Sequence, residues 1–481
     1  MRQQPLGVIV SALAVALVLV GCHGADVRRP EGAPSTISRD VDPRGPATIL
    51  PQSGAAIPAI KGNENGAAVS PQAVAALWSP VQNAADQGHW VTWGSVIDAS
   101  TGDVLLDRSA QTAHAPGSVA KVLTAFTALS HLRASDRLTT GVKQEGTSLY
   151  LWGEGDLMLA AGAGTRTAVN GHAGVADLAQ ATAAALKKQG IDAVTVNWQE
   201  NPFAGPSRLP ALVEQEVADY EGPVAAMGMN SGALDATFIG FTATPEADVA
   251  DVFVRALEEG GVKAQLGQSA DAPEGASSIA SVESATMGQQ IRWMLHYSDN
   301  TLADQYCRLA ARAAGGDTSF EGATGLVRST LMSAAVPIEG LRLDDCSGLS
   351  EDNRITAATL VNALRTAALS TADTDDADAD DSDADDAGLA SHRRVGTSDL
   401  IRDLPWSGLQ GTMTKRMLPE GIANVQAKTG SLAATSTLAG TVTTSSGRTL
   451  IFAIGNDQVP DDGAYFTRDV LDSFIQGLAK L

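Results

Sequence analysis

From Pro71 onward the apolar positions of the chain fall into recognisable periods. Residues 72 to 87 repeat at helical spacing. "VTWGSVIDASTGDVLLD" then gives two β-rich runs on either side of Ser100-Thr101-Gly102-Asp103, which predicts a hairpin. "VAKVLTAFTAL" contains no breaker and predicts a helix behind Pro116-Gly117. Helical and strand patterns mix between about 145 and 275, with "AVTVNW" a short strand, and "QQIRWMLHYSDNTLADQYCRLAARAA" is helical on both sides of a polar break. Near the end, "TSTLAGTVTT" and "RTLIFAIGN" flank Ser445-Ser446-Gly447 as paired strands, and a helix from about 466 to 480 closes the chain. Helices and antiparallel strands drawn from both ends of the chain predict an α+β layer fold.

Upstream of Pro71 the pattern changes. "MRQQPLGVIVSALAVALVLVGC" joins Arg2 to an apolar run of about fifteen residues, short for a membrane span and typical of an export signal over residues 1–22. The run ends in Leu19-Val20-Gly21-Cys22, which resembles the lipobox of bacterial lipoproteins and implies lipidation of Cys22; an ordinary signal peptide with a chance cysteine is the alternative. Residues 23–70, rich in Pro, Gly, Ala and Ser, read as a flexible linker. The nine aspartates within residues 370–388 predict a solvated, disordered surface loop, since a calcium loop would need a glycine turn and a terminal glutamate. At 481 residues and 44% hydrophobic the chain can bury a large core in two or three domains. Its formal charge of -22 argues against a nucleic-acid partner, and an anionic substrate would need a local positive site. With Cys22 set aside, Cys307 and Cys346 either pair in an oxidising compartment or stay as two buried thiols, with a disulfide the favoured reading.

Three polar stretches carry the candidate chemistry. Ser118 lies at or near a helix N-terminus with Lys121 one turn on, so an amine whose ammonium form is disfavoured by desolvation can take the serine proton. The helix start also aims the Ser118 N–H outward, toward a developing oxyanion. Ser298-Asp299-Asn300 sits at the break between two helical segments: Ser298 can relay a proton between Lys121 or Lys428 and a leaving amine, and Asn300 can hold a substrate amide through donor and acceptor. Lys428-Thr429-Gly430, where a strand begins, offers a cation and a hydroxyl to a terminal carboxylate. Gly430 lets a substrate backbone approach, and the Ser431 N–H is the second oxyanion donor. Singly, these are a surface lysine on a helix, an N-cap and a turn; each occurs once, and in this order chance is a poor explanation.

Ser-x-x-Lys, Ser-x-Asn and Lys-Thr-Gly in this order resemble the β-lactamase and penicillin-binding protein superfamily. The chain is most similar to the D-alanyl-D-alanine carboxypeptidases/endopeptidases among the low-molecular-mass penicillin-binding proteins, whose mark is a large insertion between the first two motifs; here 180 positions separate Ser118 from Ser298. "LYLWGEGDLMLA", "YEGPVAAMGMNSG", "LRLDDCSGLSEDNRITAATL" and "LPWSGLQGTMTKRM" extend the resemblance over about residues 72 to 480. Met158 and Cys346 depart from it, standing where a proline-threonine pair and a glycine are usual.

The resemblance implies a serine transpeptidase-like fold, with an antiparallel sheet flanked by helices, catalytic segments at 71–145 and 276–481, and a smaller inserted domain at 146–275. It also implies cleavage of peptidoglycan stem peptides through an acyl-enzyme on Ser118, covalent inhibition by β-lactam antibiotics, no cofactor or metal, and an extracytoplasmic location on a lipid anchor. A β-lactamase is the nearest rival, but the Glu-x-x-x-Asn spacing of its deacylating base occurs only as Glu420…Asn424, too close to Lys428. A Ser-His-Asp hydrolase lacks a Gly-x-Ser-x-Gly elbow, and a non-catalytic cell-wall binding protein would not need Ser118, Lys121, Ser298 and Lys428 intact.

Overall fold

The computed structural model describes residues 66–481 apart from 236, 371–396, 398 and 419–422. The expected export signal with Cys22, the linker up to residue 65 and the acidic loop from residue 371 lie outside the described residues.

Helix α1 (Pro71–Gly88) starts where Ser70 accepts a hydrogen bond from the Ala73 N–H, with proline at its first position. It leads into the expected hairpin of β1 (Val91–Asp98) and β2 (Val104–Arg108), whose turn is held by Asp98 Oδ1 accepting from the Ser100 and Thr101 N–H groups. The short β3 (Ala113–His114) and a 3-10 turn over Gly117–Ala120 precede helix α2 (Lys121–His131). The chain then builds β4 (Thr139–Glu145), β5 (Ser148–Gly153), β6 (Asp156–Leu159), α3 (Val175–Lys188), β7 (Ala193–Trp198), β8 (Met227–Met229), α4 (Pro245–Glu259), β9 (Lys263–Ser269) and β10 (Ser277–Glu283). It returns through α5 (Met287–Tyr297), α6 (Asn300–Ala313), α7 (Phe320–Ser333), β11 (Ile355–Thr356) and α8 (Ala357–Leu369). It finishes with β12 (Val425–Leu432), β13 (Thr435–Thr443), β14 (Thr449–Asp457) and α9 (Ala464–Ala479).

The principal sheet runs β12-β13-β14-β1-β2 and is antiparallel throughout, as expected. Successive side chains of β14 face opposite ways. Leu450, Phe452 and Ile454 pack with Trp78 of α1 and Phe474 and Ile475 of α9, whereas Ile451 and Ala453 join Val122 and Phe126 of α2 and Leu364 of α8. Helices thus cover both faces, which is why "RTLIFAIGN" reads as an unbroken apolar run.

The second sheet has the order β10-β4-β5-β7-β9, antiparallel across its first two pairings and parallel across β5-β7 and β7-β9. Helices α3 and α4 supply Leu178, Phe253 and Leu257 to its core with Leu149, Leu151 and Val196. The sheet spans the segment expected as an inserted domain at 146–275 and reaches beyond it, because β4 and β10 pair with each other and carry it out to Thr139 and Glu283. The half-exposed "SSIASVE" has little apolar signal to announce that pairing.

Cys307 of α6 and Cys346 of the segment before β11 form a disulfide with Cα atoms 6.3 Å apart. The bridge closes a loop of 39 positions and fastens that segment to the helix. Replacing both cysteines by serine is expected to lower stability by about 2–4 kcal/mol, the usual range for such a loop; thermal melts of oxidised wild type against the double variant check this.

Candidate active site

Ser118 sits in the 3-10 turn Gly117–Ala120, and residues three apart eclipse in such a turn. Lys121, at the turn's end and the start of α2, therefore stands over the serine, with Nζ 3.0 Å from Oγ. The turn lies against β12 and β13, where Thr437 Oγ1 donates to the Pro116 carbonyl at 2.6 Å. Two glycines allow the approach. A Cβ on Gly430 would fall 2.1 Å from Thr437 Oγ1 and 3.1 Å from the Ser118 nitrogen, and one on Gly117, whose φ is +52°, would fall 2.9 Å from the Ser431 nitrogen. The two amides expected to face an oxyanion thus belong to chains in direct contact.

The Lys121 amine is fully buried and meets three acceptors: Ser118 Oγ, Asn300 Oδ1 at 2.6 Å and the Ser347 carbonyl at 2.7 Å. Burial pulls its pKa down to about 8, against the opposing pull of the acidic side chains Asp345, Asp304, Asp299 and Glu221. With two N–H groups held by Asn300 and Ser347, the neutral amine has its lone pair left for the serine hydroxyl.

Ser298 ends α5 in the left-handed conformation with φ 59°, and Asp299 begins α6 by accepting from the Leu302 N–H at 3.0 Å. Asp299, and not Ser298, is therefore the N-cap. This abrupt reversal brings Ser298 Oγ to 2.9 Å from Lys428 Nζ. Lys428-Thr429-Gly430 lies in the middle of β12, not at its start, so the chain on both sides of it is paired with β13. Lys428 is fully buried and also donates to the Thr429 carbonyl at 2.8 Å, while Thr429 Oγ1 donates to Thr412 Oγ1 at 2.9 Å.

Asn300 is fixed from two sides, its Oδ1 accepting from Lys121 and its Nδ2 donating to the Tyr220 carbonyl at 2.9 Å, and an amide so held keeps a second N–H and a second lone pair for the substrate contact expected of it. The structure thus brings Ser118, Lys121, Ser298, Asn300, Lys428, Thr429, Gly430 and Ser431 together in one cluster. It adds residues to which sequence reasoning assigned no role: the Ser347 carbonyl, Thr412, and Asp345, whose carboxylate gathers the N–H groups of Ser347, Gly348 and Ser350 and so shapes the turn that holds Lys121. They all lie in the stretches that carried the resemblance, which was the available signal.

A family model described as D-Ala-D-Ala carboxypeptidase 3 (S13) matches residues 80–243, 238–378 and 391–477. The chain is 31% identical over 466 residues to carboxypeptidase DacB of Mycolicibacterium smegmatis, covering 93% of this chain and 90% of that one. It is 31% identical over 478 residues to a carboxypeptidase of Mycobacterium tuberculosis, covering 94% of each. In fold it is similar to penicillin-binding protein 4 of Haemophilus influenzae, with a TM-score of 0.61 and 17% identity over 85% of this chain and 99% of that one. Three motifs meeting in one cluster, within a fold of that type and with a family match along most of its length, identify this chain as a member of the D-Ala-D-Ala carboxypeptidase 3 (S13) family of low-molecular-mass penicillin-binding proteins.

Proposed function

We propose that this family member is a serine D-alanyl-D-alanine carboxypeptidase/endopeptidase of peptidoglycan stem peptides that works through an ester on Ser118. The observation that carries this reading is the Lys121 amine, held 3.0 Å from Ser118 Oγ with its other hydrogens directed to Asn300 and Ser347. Lys121 takes the hydroxyl proton as Oγ attacks the penultimate D-alanine carbonyl, and the Ser118 and Ser431 N–H groups stabilise the oxyanion. Collapse expels the terminal D-alanine, whose amine takes a proton through Ser298, and water then hydrolyses the ester. If the expelled amine belongs to a cross-bridge, the same steps open a cross-link. The Lys428 charge and the Thr429 hydroxyl favour a carboxylate at the end of the cleft, which offsets the repulsion of an acidic protein. A β-lactam acylates the same serine and stays attached, since the only glutamate with β-lactamase-like spacing is Glu420. The crystal structure of the H. influenzae protein in complex with a β-lactam supports access of such a ring to this fold.

A cell-wall peptidase acts outside the cytoplasm. The finer reading, a lipid on Cys22 that tethers the enzyme to the outer face of the cytoplasmic membrane through residues 23–70, rests on the Leu-Val-Gly-Cys sequence.

Ser118→Ala is expected to abolish both labelling by a fluorescent penicillin and release of D-alanine from defined pentapeptide; residual labelling on another residue would defeat the nucleophile assignment, and labelling without release would favour a binding protein. Because only neutral Lys121 accepts a proton, acylation should rise about tenfold per pH unit and level off near pH 8. Lys121→Ala should slow it by on the order of 10²–10⁴-fold, and normal acylation by that variant would remove Lys121 as base. Cys22→Ser is expected to move the protein from the detergent phase to the aqueous phase in a Triton X-114 partition of expressing cells.

A further inference from the structure

Helix α6 carries more of the site than Asn300. One turn on, Asp304 is 1% exposed and its Oδ1 accepts from the Cys346 N–H at 2.8 Å. Against it lies Glu221, also 1% exposed, on a segment that belongs to the inserted region. That segment is fastened along α6: the Tyr220 carbonyl accepts from Asn300, the Gly222 N–H donates to Thr301 Oγ1 at 2.8 Å, and Ala225 exchanges two hydrogen bonds with the Gln305 side chain. The Glu221 and Asp304 carboxyl groups are within hydrogen-bonding reach of each other. Among the described residues no N–H or O–H donor reaches either oxygen of Glu221 or Oδ2 of Asp304.

Two carboxyl groups can hydrogen-bond only if one keeps a proton, and two bare carboxylates facing each other without donors in a water-free interior would be far costlier than one. The charged groups around the pair are Lys121 from α2, Asp345 from the segment before β11 and Arg308 from α6 itself. Burial, Asp304 and Asp345 all push the Glu221 carboxyl upward, against the opposing pull of the Lys121 and Arg308 cations. Asp345 is by contrast well supplied with donors, from Ser347, Gly348, Ser350 and Asn353.

We propose that Glu221 and Asp304 share a single proton and together hold one negative charge beside Lys121, so that Glu221 is a positioning residue by which the inserted region fixes the electrostatic setting of the base. This rests on the reading of Lys121 as base. Glu221 donates the proton to Asp304, and Asp304 keeps its second oxygen on the Cys346 amide. A fully ionised pair would add a second negative charge and hold Lys121 protonated to higher pH; a neutral pair would release its proton at lower pH. The insertion then does more than extend the cleft, since without Tyr220-Glu221-Gly222 both the orientation of Asn300 and the charge balance at Lys121 change.

Two measurements on the full chain test this. Infrared difference spectra of wild type minus Glu221→Gln, and of wild type minus Asp304→Asn, should each show the carbonyl stretch of a protonated carboxylic acid at neutral pH, lost in the variant or, for D304N, removed by ionisation of Glu221. Absence of that band from both differences overturns the shared proton, whatever Lys121 does. In penicillin acylation, E221Q keeps one negative charge on Asp304 and should keep the midpoint of the pH profile, whereas E221Q/D304N removes that charge and should move the midpoint down by about one unit, an about tenfold faster reaction at a fixed pH on the rising limb. A shift in E221Q as large as in the double variant overturns the single-proton pair. An unshifted double variant, with the infrared band present in wild type, leaves the proton in place and overturns its hold on Lys121. Melting temperatures accompany each variant, and a titration of the wild-type band with pH supplies the same test should either variant fail to fold.

Discussion

A primary amine sealed from water must find acceptors in every direction its hydrogens point, and around Lys121 those acceptors come from separate parts of the chain. Asn300 arrives on α6, the Ser347 carbonyl on a turn shaped by Asp345, and Ser118 on the turn that starts α2. Removing any one of them would leave either an unpaired ammonium or a misdirected lone pair, both costly in the interior. Burial also makes the amine usable: a solvated lysine holds its proton to about 10.5, and desolvation brings this one down to about 8.

The remaining architecture serves to bring those acceptors within reach. The principal sheet is covered by helices on both faces, and its edge strand β12 presents Lys428 from a position where its neighbours on either side are paired with β13. The absence of a side chain at Gly430 lets the serine turn rest on that strand at van der Waals distance, and the left-handed Ser298 turns the chain sharply enough for its hydroxyl to meet Lys428. The second is a local departure from ordinary backbone preference, held in place by the packing around it.

Much of this could be read from the residues alone. The helix behind Pro116-Gly117, the hairpin at Ser100-Thr101-Gly102-Asp103, strand "AVTVNW" and the final strand pair follow from short-range patterns, and the structure has each near its expected limits. The three motifs were visible because each joins scarce residue types at fixed spacing. What stayed hidden depended on distant contacts. The pairing of β4 with β10 joins segments more than a hundred positions apart through half-exposed strands, and the inward turn of Asn300 depends on a carbonyl, Tyr220, that any residue could supply. Ser298 looked like an N-cap because serine usually caps helices; only the geometry of two helices meeting end to end hands that task to Asp299.

The covalent tie between α6 and the segment bearing Ser347 gives the molecule a sense of place. Both groups that grip the Lys121 amine from beyond its own helix are anchored to the two ends of that tie. In the reducing cytoplasm, where thiols persist, the nascent polypeptide carries the complete set of reactive residues without the clamp that keeps them in register. A peptidase of the cell wall works outside the cytoplasm, where such a bond persists, so the lysine's surroundings are fastened most firmly in the compartment that holds the wall.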